Sequence, residues 1–96
     1  VPAYVIYQCT ILDAERYEEY KKQAAPSVAA AGGRYLVRGG DVDLLEGDLP
    51  AERTVILEFP DRASALAWYA SDRYTEIRRL RDGAARASVY AVDGLG

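Results

Sequence analysis

Charged side chains set inside apolar runs are the residues whose chemistry first needs explaining. Arg38 closes the strand-like run "RYLVR", and Glu58 lies inside "RTVILEF". A guanidinium among apolar neighbours can clamp a carboxylate or an enolate through two parallel N–H donors. A carboxyl group whose pKa is raised by burial can give or take a proton. The same two residues could instead form a buried ion pair that fixes register or dimer geometry. By strict alternation Arg38 shares a face with Arg34 and Leu36, and Glu58 shares one with Thr54 and Ile56. Three roles therefore stay open: an Arg38–Glu58 structural pair, Arg38 as a ligand anchor, and Glu58 as a weak candidate acid or base.

The aromatic residues suggest the rest of a binding set. The chain has eight tyrosines against one tryptophan and one phenylalanine. Tyr17 and Tyr20 fall on a helical stripe, where they read as core aromatics whose hydroxyls reach a polar edge. Trp68 and Tyr69 are adjacent and point different ways from a helix, so one packs and the other borders a cleft. Tyr74 and Arg81 lie seven apart on one helical face. They could close a pocket against Arg38, or simply stack at the helix–sheet boundary. The candidate ligand-binding residues are Arg38, Tyr20, Trp68, Tyr69, Tyr74 and Arg81.

Other chemistries are poorly supplied. There is no histidine, and Cys9 is the only cysteine. That removes a Ser-His-Asp or Cys-His arrangement, an internal disulfide and a cysteine metal cluster. Cys9, inside a strand pattern, reads as a buried inert thiol. Asp41, Asp43, Glu46 and Asp48 read as a solvated edge rather than a hard-cation site. "GGRYLVRGG" ends a helix and enters a strand, the reverse of a dinucleotide fingerprint. No metal and no organic cofactor are expected. The net charge of −3 argues against nucleic acid, and "RRLR" (Arg78–Arg81) reads as a mixed helix face. With no signal-peptide or membrane-span pattern, a soluble cytoplasmic protein is expected.

The elements that must position these residues follow from periodicity. At 96 residues the chain is read as one domain, 1–96. "AYVIYQCTI" is a strand with apolar groups on both faces. Asp13 caps a helix whose stripe is Tyr17, Tyr20, Ala24, Val28 and Ala31; Pro26 should kink or restart it, and Gly32-Gly33 end it. "RYLVR" is a strand, Gly39-Gly40 a tight reversal or a bulge, "DVDLLEG" a short returning strand, "DLPAE" a loop and "RTVILEF" a strong strand. Asp61 caps a helix with Ala63, Leu66, Ala67 and Ala70 as its apolar stripe. A second helical piece starts at Ser71 or Asp72, with Tyr74, Ile77 and Leu80 or Arg81 inward. "RASVYAVDG" is the last strand. The order is βαββαβ, an α+β ferredoxin-like sandwich with two helices, the second split, on one face of a four-stranded antiparallel sheet. The other face is also apolar, so a symmetric homodimer is expected to cover it.

"GGRYLVRGG", "LEG", "ERTVILEFP" and "AWYASDRY", with Arg81 beyond, together resemble the family called domain of unknown function 1330. The resemblance spans nearly the whole chain. It implies a ferredoxin-like, dimeric α/β barrel among small bacterial proteins, mostly uncharacterised, and brings no reaction with it. Ala31 stands where a histidine often precedes the glycine pair, Leu49 where an aromatic often follows, and Asp72 where a proline is usual. The function expected is binding of a small anionic organic molecule between sheet and helices. The alternatives are a cofactor-independent, monooxygenase- or isomerase-like enzyme using Arg38, Glu58 and a tyrosine, or a structural dimer without a ligand.

Overall fold

β1 (Ala3–Ile11) is the strand on which everything else is laid. Its odd residues Ala3, Val5, Tyr7 and Cys9 are all buried, while the even ones are only half-covered. Alternation along a pleated strand sends the two sets to opposite faces. A computed structural model, which describes residues 1–96, shows what covers each face.

β1 pairs antiparallel with β3 (Arg53–Phe59) on one side and with β4 (Ala85–Asp93) on the other. β2 (Arg34–Arg38) adds to the outer side of β3, giving the order β2-β3-β1-β4. Three helices cover the face that carries Val5, Tyr7, Val55 and Leu57. The ferredoxin-like α+β architecture expected from periodicity is the one found. No helix is long and apolar enough to cross a membrane.

α1 (Ala14–Ala30) starts where the Asp13 carboxylate accepts from the Arg16 amide at 3.1 Å. Tyr17, Tyr20, Ala24 and Val28 are its buried stripe, as the spacing predicts. The helix does not restart at Pro26. The ring is exposed, so only the missing N–H is lost, and the helix runs on to Ala30. Gly32, at φ +85°, ends it.

α2 (Arg62–Ala70) and α3 (Asp72–Arg79) meet at Ser71, whose extended backbone breaks the helix. The Ser71 hydroxyl donates to the Trp68 carbonyl at 2.7 Å and accepts from the Tyr74 amide at 3.1 Å. Asp61 caps α2 by accepting from Ser64 N at 2.7 Å. The stripe expected for α2 is corrected: Ala65 and Trp68 are buried, whereas Ala63, Leu66, Ala67 and Ala70 are not. One indole outweighs several methyl groups in choosing which side turns inward. In α3, Tyr74 and Ile77 are buried and Leu80 packs against the core, as expected.

Two expectations fail between β2 and β3. "DVDLLEG" is no strand; residues 39–52 form an irregular, mostly exposed connection. Its apolar residues have no strand beside them to pair with, and strand propensity alone does not build a ladder. The register also shifts. Arg34 faces Glu58 and Tyr35 faces Leu57, but the next pair is Val37 with Ile56, so Leu36 is bulged. Beyond the bulge the parity reverses. Val37 joins Ile56 on the helix-free face, and Arg38 joins Val55 on the helix side.

The helix-free face carries Ile6 between Ile56 and Tyr90, with Tyr4 between Glu58 and Val92. Tyr90 is 56 % exposed and Val92 45 %.

Gly33 lies where a Cβ would come within 2.7 Å of two ring carbons of the fully buried Phe59. Gly40 faces open space. Gly33→Ala is expected to destabilise by about 1–3 kcal/mol, as overpacking does. Gly40→Ala should leave the urea midpoint nearly unmoved. Equal midpoints for the two variants would contradict this packing.

Candidate functional site

The bulge has a direct chemical effect: it carries Arg38 to the mouth of a cleft between the helices and the sheet. The void is about 430 Å³ counting its open mouth, of which about 30 Å³ admits the centre of a water molecule. Its floor is sheet, from Val5, Tyr7, Val55 and Leu57. Its walls come from α1 (Tyr17, Tyr20, Ala24, Val28), from Tyr35 on β2, and from Trp68 and Tyr74. Three cations line it: Lys21, Arg38 and Arg53. No carboxylate does.

Each cation is placed by local structure. Arg53 shares the parity of Val55, Leu57 and Phe59, so it projects to the helix side at the first residue of β3. Its guanidinium lies against Gly39, the residue after Arg38, where a Cβ would collide with Nη1. Gly39 has φ +72°, the left-handed region that glycine alone enters without strain. Arg38 Cζ stands 4.5 Å from the Tyr35 ring centroid, and Arg53 Cζ stands 5.9 Å from that of Tyr17. Stacking on an aromatic face steadies a guanidinium while its N–H edges stay open. Lys21 is tied to Glu18 at 2.7 Å, and that contact holds the exposed Glu18 carboxyl below its ordinary value. Neither Arg38 nor Arg53 has a carboxylate partner within 4.0 Å.

Inside the cleft the tyrosines are joined in pairs. Tyr17 donates to Tyr7 at 3.0 Å, and Cys9 Sγ lies 3.6 Å from the Tyr17 oxygen. The Tyr20 and Tyr74 hydroxyls are 2.6 Å apart. Trp68 stacks on Tyr74 with centroids 4.1 Å apart, and its Nε1 donates to Ser27 Oγ at 3.2 Å. Burial pushes the Tyr17 phenol up to about 12 and raises Tyr7, Tyr20 and Tyr35 as well. At neutral pH these phenols are protonated.

The structure distributes the expected site residues unevenly. Arg38, Tyr20, Trp68 and Tyr74 line the cleft. Arg81 lies behind its wall, Cζ 5.4 Å from the Tyr7 centroid and 5.5 Å from that of Tyr20. It stacks on these two, and its guanidinium also lies beside the Tyr74 hydroxyl. Tyr69 borders a separate apolar hollow between α2 and β4, about 450 Å³ counting its open mouth, where it accepts from Arg78 Nη1 at 2.9 Å. Glu58 is on the opposite face of the sheet from Arg38, and the expected Arg38–Glu58 pair is replaced by Arg34 Nε to Glu58 at 2.7 Å. The bulge is the reason. Tyr7, Tyr35 and Arg53 line the cleft without having been singled out; Arg53 was open to discovery from its parity with Val55 and Leu57. Asp41, Asp43, Glu46 and Asp48 are exposed, and no three acidic, histidine or cysteine side chains converge anywhere.

Comparison with known proteins gives the fold wider context. The sequence pattern of the family described as domain of unknown function (DUF1330) matches residues 2–95. No curated protein matches the sequence. Among solved structures, a protein of unknown function from Rhodopseudomonas palustris superposes with a TM-score of 0.77 at 19% identity, covering 99% of this chain and 83% of that one. SnoaB, a cofactor-independent oxygenase from Streptomyces nogalater, gives 0.66 at 8% identity, covering 99% and 94%. An antibiotic biosynthesis monooxygenase gives 0.59 at 17% identity, covering 98% and 99%. At these identities the likeness is one of fold.

The buried phenols fix how stability depends on pH. A group whose pKa is higher folded than unfolded stabilises the fold fully below its unfolded value, and that gain is lost as pH rises through the folded value. For Tyr17 the window runs from 10.0, its ordinary value, to about 12. Unfolding free energy from urea titrations should therefore be insensitive to these tyrosines below that window and fall steeply within it. Tyrosinate absorbance should lag that of the unfolded chain. Ordinary titration of all eight tyrosines in the folded protein would contradict the burial described.

Proposed function

Because the chain belongs to the domain of unknown function 1330 family, which carries no assigned reaction, we propose its function from its own side chains: it binds a small anionic organic molecule in the cleft between sheet and helices. The observation that carries this reading is charge without compensation. Arg38 and Arg53 stand at an apolar, aromatic-lined cleft with no carboxylate among its lining residues. A guanidinium fork on an aromatic face is suited to a carboxylate or enolate, and the apolar walls suit an organic body.

The homodimer belongs to the same proposal. Ile6, Ile56, Tyr90 and Val92 sit on a sheet face that no helix of this chain covers, and a second copy laid face to face would bury it. Arg34 and Glu58 would sit at the margin of that interface, which gives Glu58 a structural role. Light scattering is expected to give twice the 10.6 kDa chain mass. Ile56→Asp should return the monomer mass. A wild-type monomer at micromolar concentration would end the dimer proposal.

Cofactor-independent chemistry on the bound anion is the second reading. The hydrogen-bonded phenols beside the guanidinium groups favour it, and the shared fold with SnoaB is compatible with it. In that reading a tyrosine, not Glu58, would donate a proton to the bound anion, which enters already ionised.

Benzoate and benzamide separate charge from shape. Benzoate is expected to raise the melting temperature and to bind at least about tenfold more tightly than benzamide, as a charge-assisted hydrogen bond implies. Arg38→Gln and Arg53→Gln should each erase most of that preference while keeping the wild-type fold by circular dichroism. Equal affinity for the acid and the amide would end the anion reading.

A further inference from the structure

The polar groups that line the cleft are rich in donors: three are cations, and each pair of phenols holds one more hydrogen than its mutual contact uses. Arg38, Arg53 and Lys21 carry only donors. Trp68 has a single N–H, already spent on Ser27. The remaining polar atoms are the phenolic oxygens, and their hydrogens can be counted. Tyr20 and Tyr74 hold two hydroxyl hydrogens between them and use one in their mutual 2.6 Å contact. Tyr17 spends its hydrogen on Tyr7, so the hydrogen of Tyr7 is free. Each pair thus keeps one unspent O–H inside a largely apolar enclosure. Burial raises the Tyr7, Tyr17 and Tyr20 phenols, so these three stay protonated at neutral pH and none of them serves as a base.

We propose that the ligand of this cleft is an acceptor at both ends, a flat organic anion held by Arg38 and Arg53 at the mouth and carrying a neutral carbonyl oxygen that takes the free hydroxyl hydrogen of a tyrosine pair deeper in. This rests on the anion-binding reading and narrows it to a chemical class: acyl-substituted carboxylates and ionised enolones. The interior as it stands has room for only a water or so, so a flat body enters by parting the rings of Trp68, Tyr74 and Tyr20, which present faces and edges rather than branched aliphatic groups. A site with an unspent buried donor also discriminates well. A ligand that lacks the inner acceptor leaves a buried hydroxyl unpaired, a larger loss than the hydrogen bond itself. A cleft without a base also means that the ligand enters already ionised.

The test compares 4-acetylbenzoate with 4-isopropenylbenzoate by isothermal titration calorimetry. The two share the carboxylate, the ring and the shape of the substituent, and differ in C=O against C=CH2. The acetyl compound is expected to bind about tenfold more tightly, the range of one well-placed hydrogen bond plus the relief of an unpaired donor. Removing one tyrosine hydroxyl does not remove the free hydrogen, because the partner's is then released from the pair. The variants that do so are the double changes Tyr20→Phe/Tyr74→Phe and Tyr7→Phe/Tyr17→Phe. Each removes both hydroxyls of a pair, and circular dichroism and the melting temperature check that the variant keeps the fold. One of the two should abolish the acetyl preference, bringing the two acids to equal affinity. Equal affinities for the two acids in the wild-type chain overturn this inference and leave the anion reading standing. A preference that survives both double variants also overturns it. If neither acid binds, the anion reading itself fails, and this inference with it.

Discussion

Four strands give the sheet two faces to cover, and the helices of the chain cover only one. β1 feels this constraint most sharply, because it is flanked by strands on both sides and apolar on both faces. On the helix side the solution is a core unusually rich in phenols. Tyr7, Tyr17, Tyr20 and Tyr74 are all buried, and their hydroxyls are satisfied chiefly by one another. A leucine core would need no such pairing. The pairing in turn fixes where the rings stand and leaves a cleft between them. On the other side, Ile6, Ile56 and Tyr90 form a continuous apolar row with no cover from this chain. The proposed binding site and the proposed dimer are two answers to one imbalance.

The bulge at Leu36 shows how little is needed to change a site. One unpaired residue in β2 separates Arg34, paired with Glu58 on the open face, from Arg38 on the helix side. Without it both arginines would share a face, and Arg53 would stand alone at the cleft. Bulges commonly re-aim a side chain near a functional site. Here the change also moves a charge from a wet surface to the edge of an aromatic enclosure.

Much of this architecture is legible in the residues, for stated reasons. The β1 strand with apolar residues on both faces, the 3.6 period from Tyr17 to Val28, and the capping carboxylates of Asp13 and Asp61 are all local signals, and all are found. The register of β2 is not local. Leu36 is an unremarkable strand residue, and only its missing partner on β3 reveals the bulge. An alternation count that assumes a regular ladder therefore sends Arg38 to the wrong side and joins it to Glu58. "DVDLLEG" misleads in the same way, having the composition of a strand and no neighbour to pair with. In α2 the apolar residues are spread around the helix, and the bulk of Trp68 decides the inward face. Four of the six expected binding residues line the cleft, because the aromatic ones announce themselves by size; Arg53 is small evidence in a sequence and large in a structure.

The strand order also determines how such a chain emerges during synthesis. β1 is made before both of its partners, Arg53–Phe59 and Ala85–Asp93. Its backbone donors and its aromatic and β-branched side chains must wait, unpaired, while the residues between are translated. Such a segment is open to wrong strand partners during that interval. The closing contact, from the Gly94 amide to the Pro2 carbonyl at 2.8 Å, ties the residue after β4 to the residue before β1. The sheet is thus completed only when β4 is made, and a nascent chain halted before β4 would leave one edge of its central strand bare.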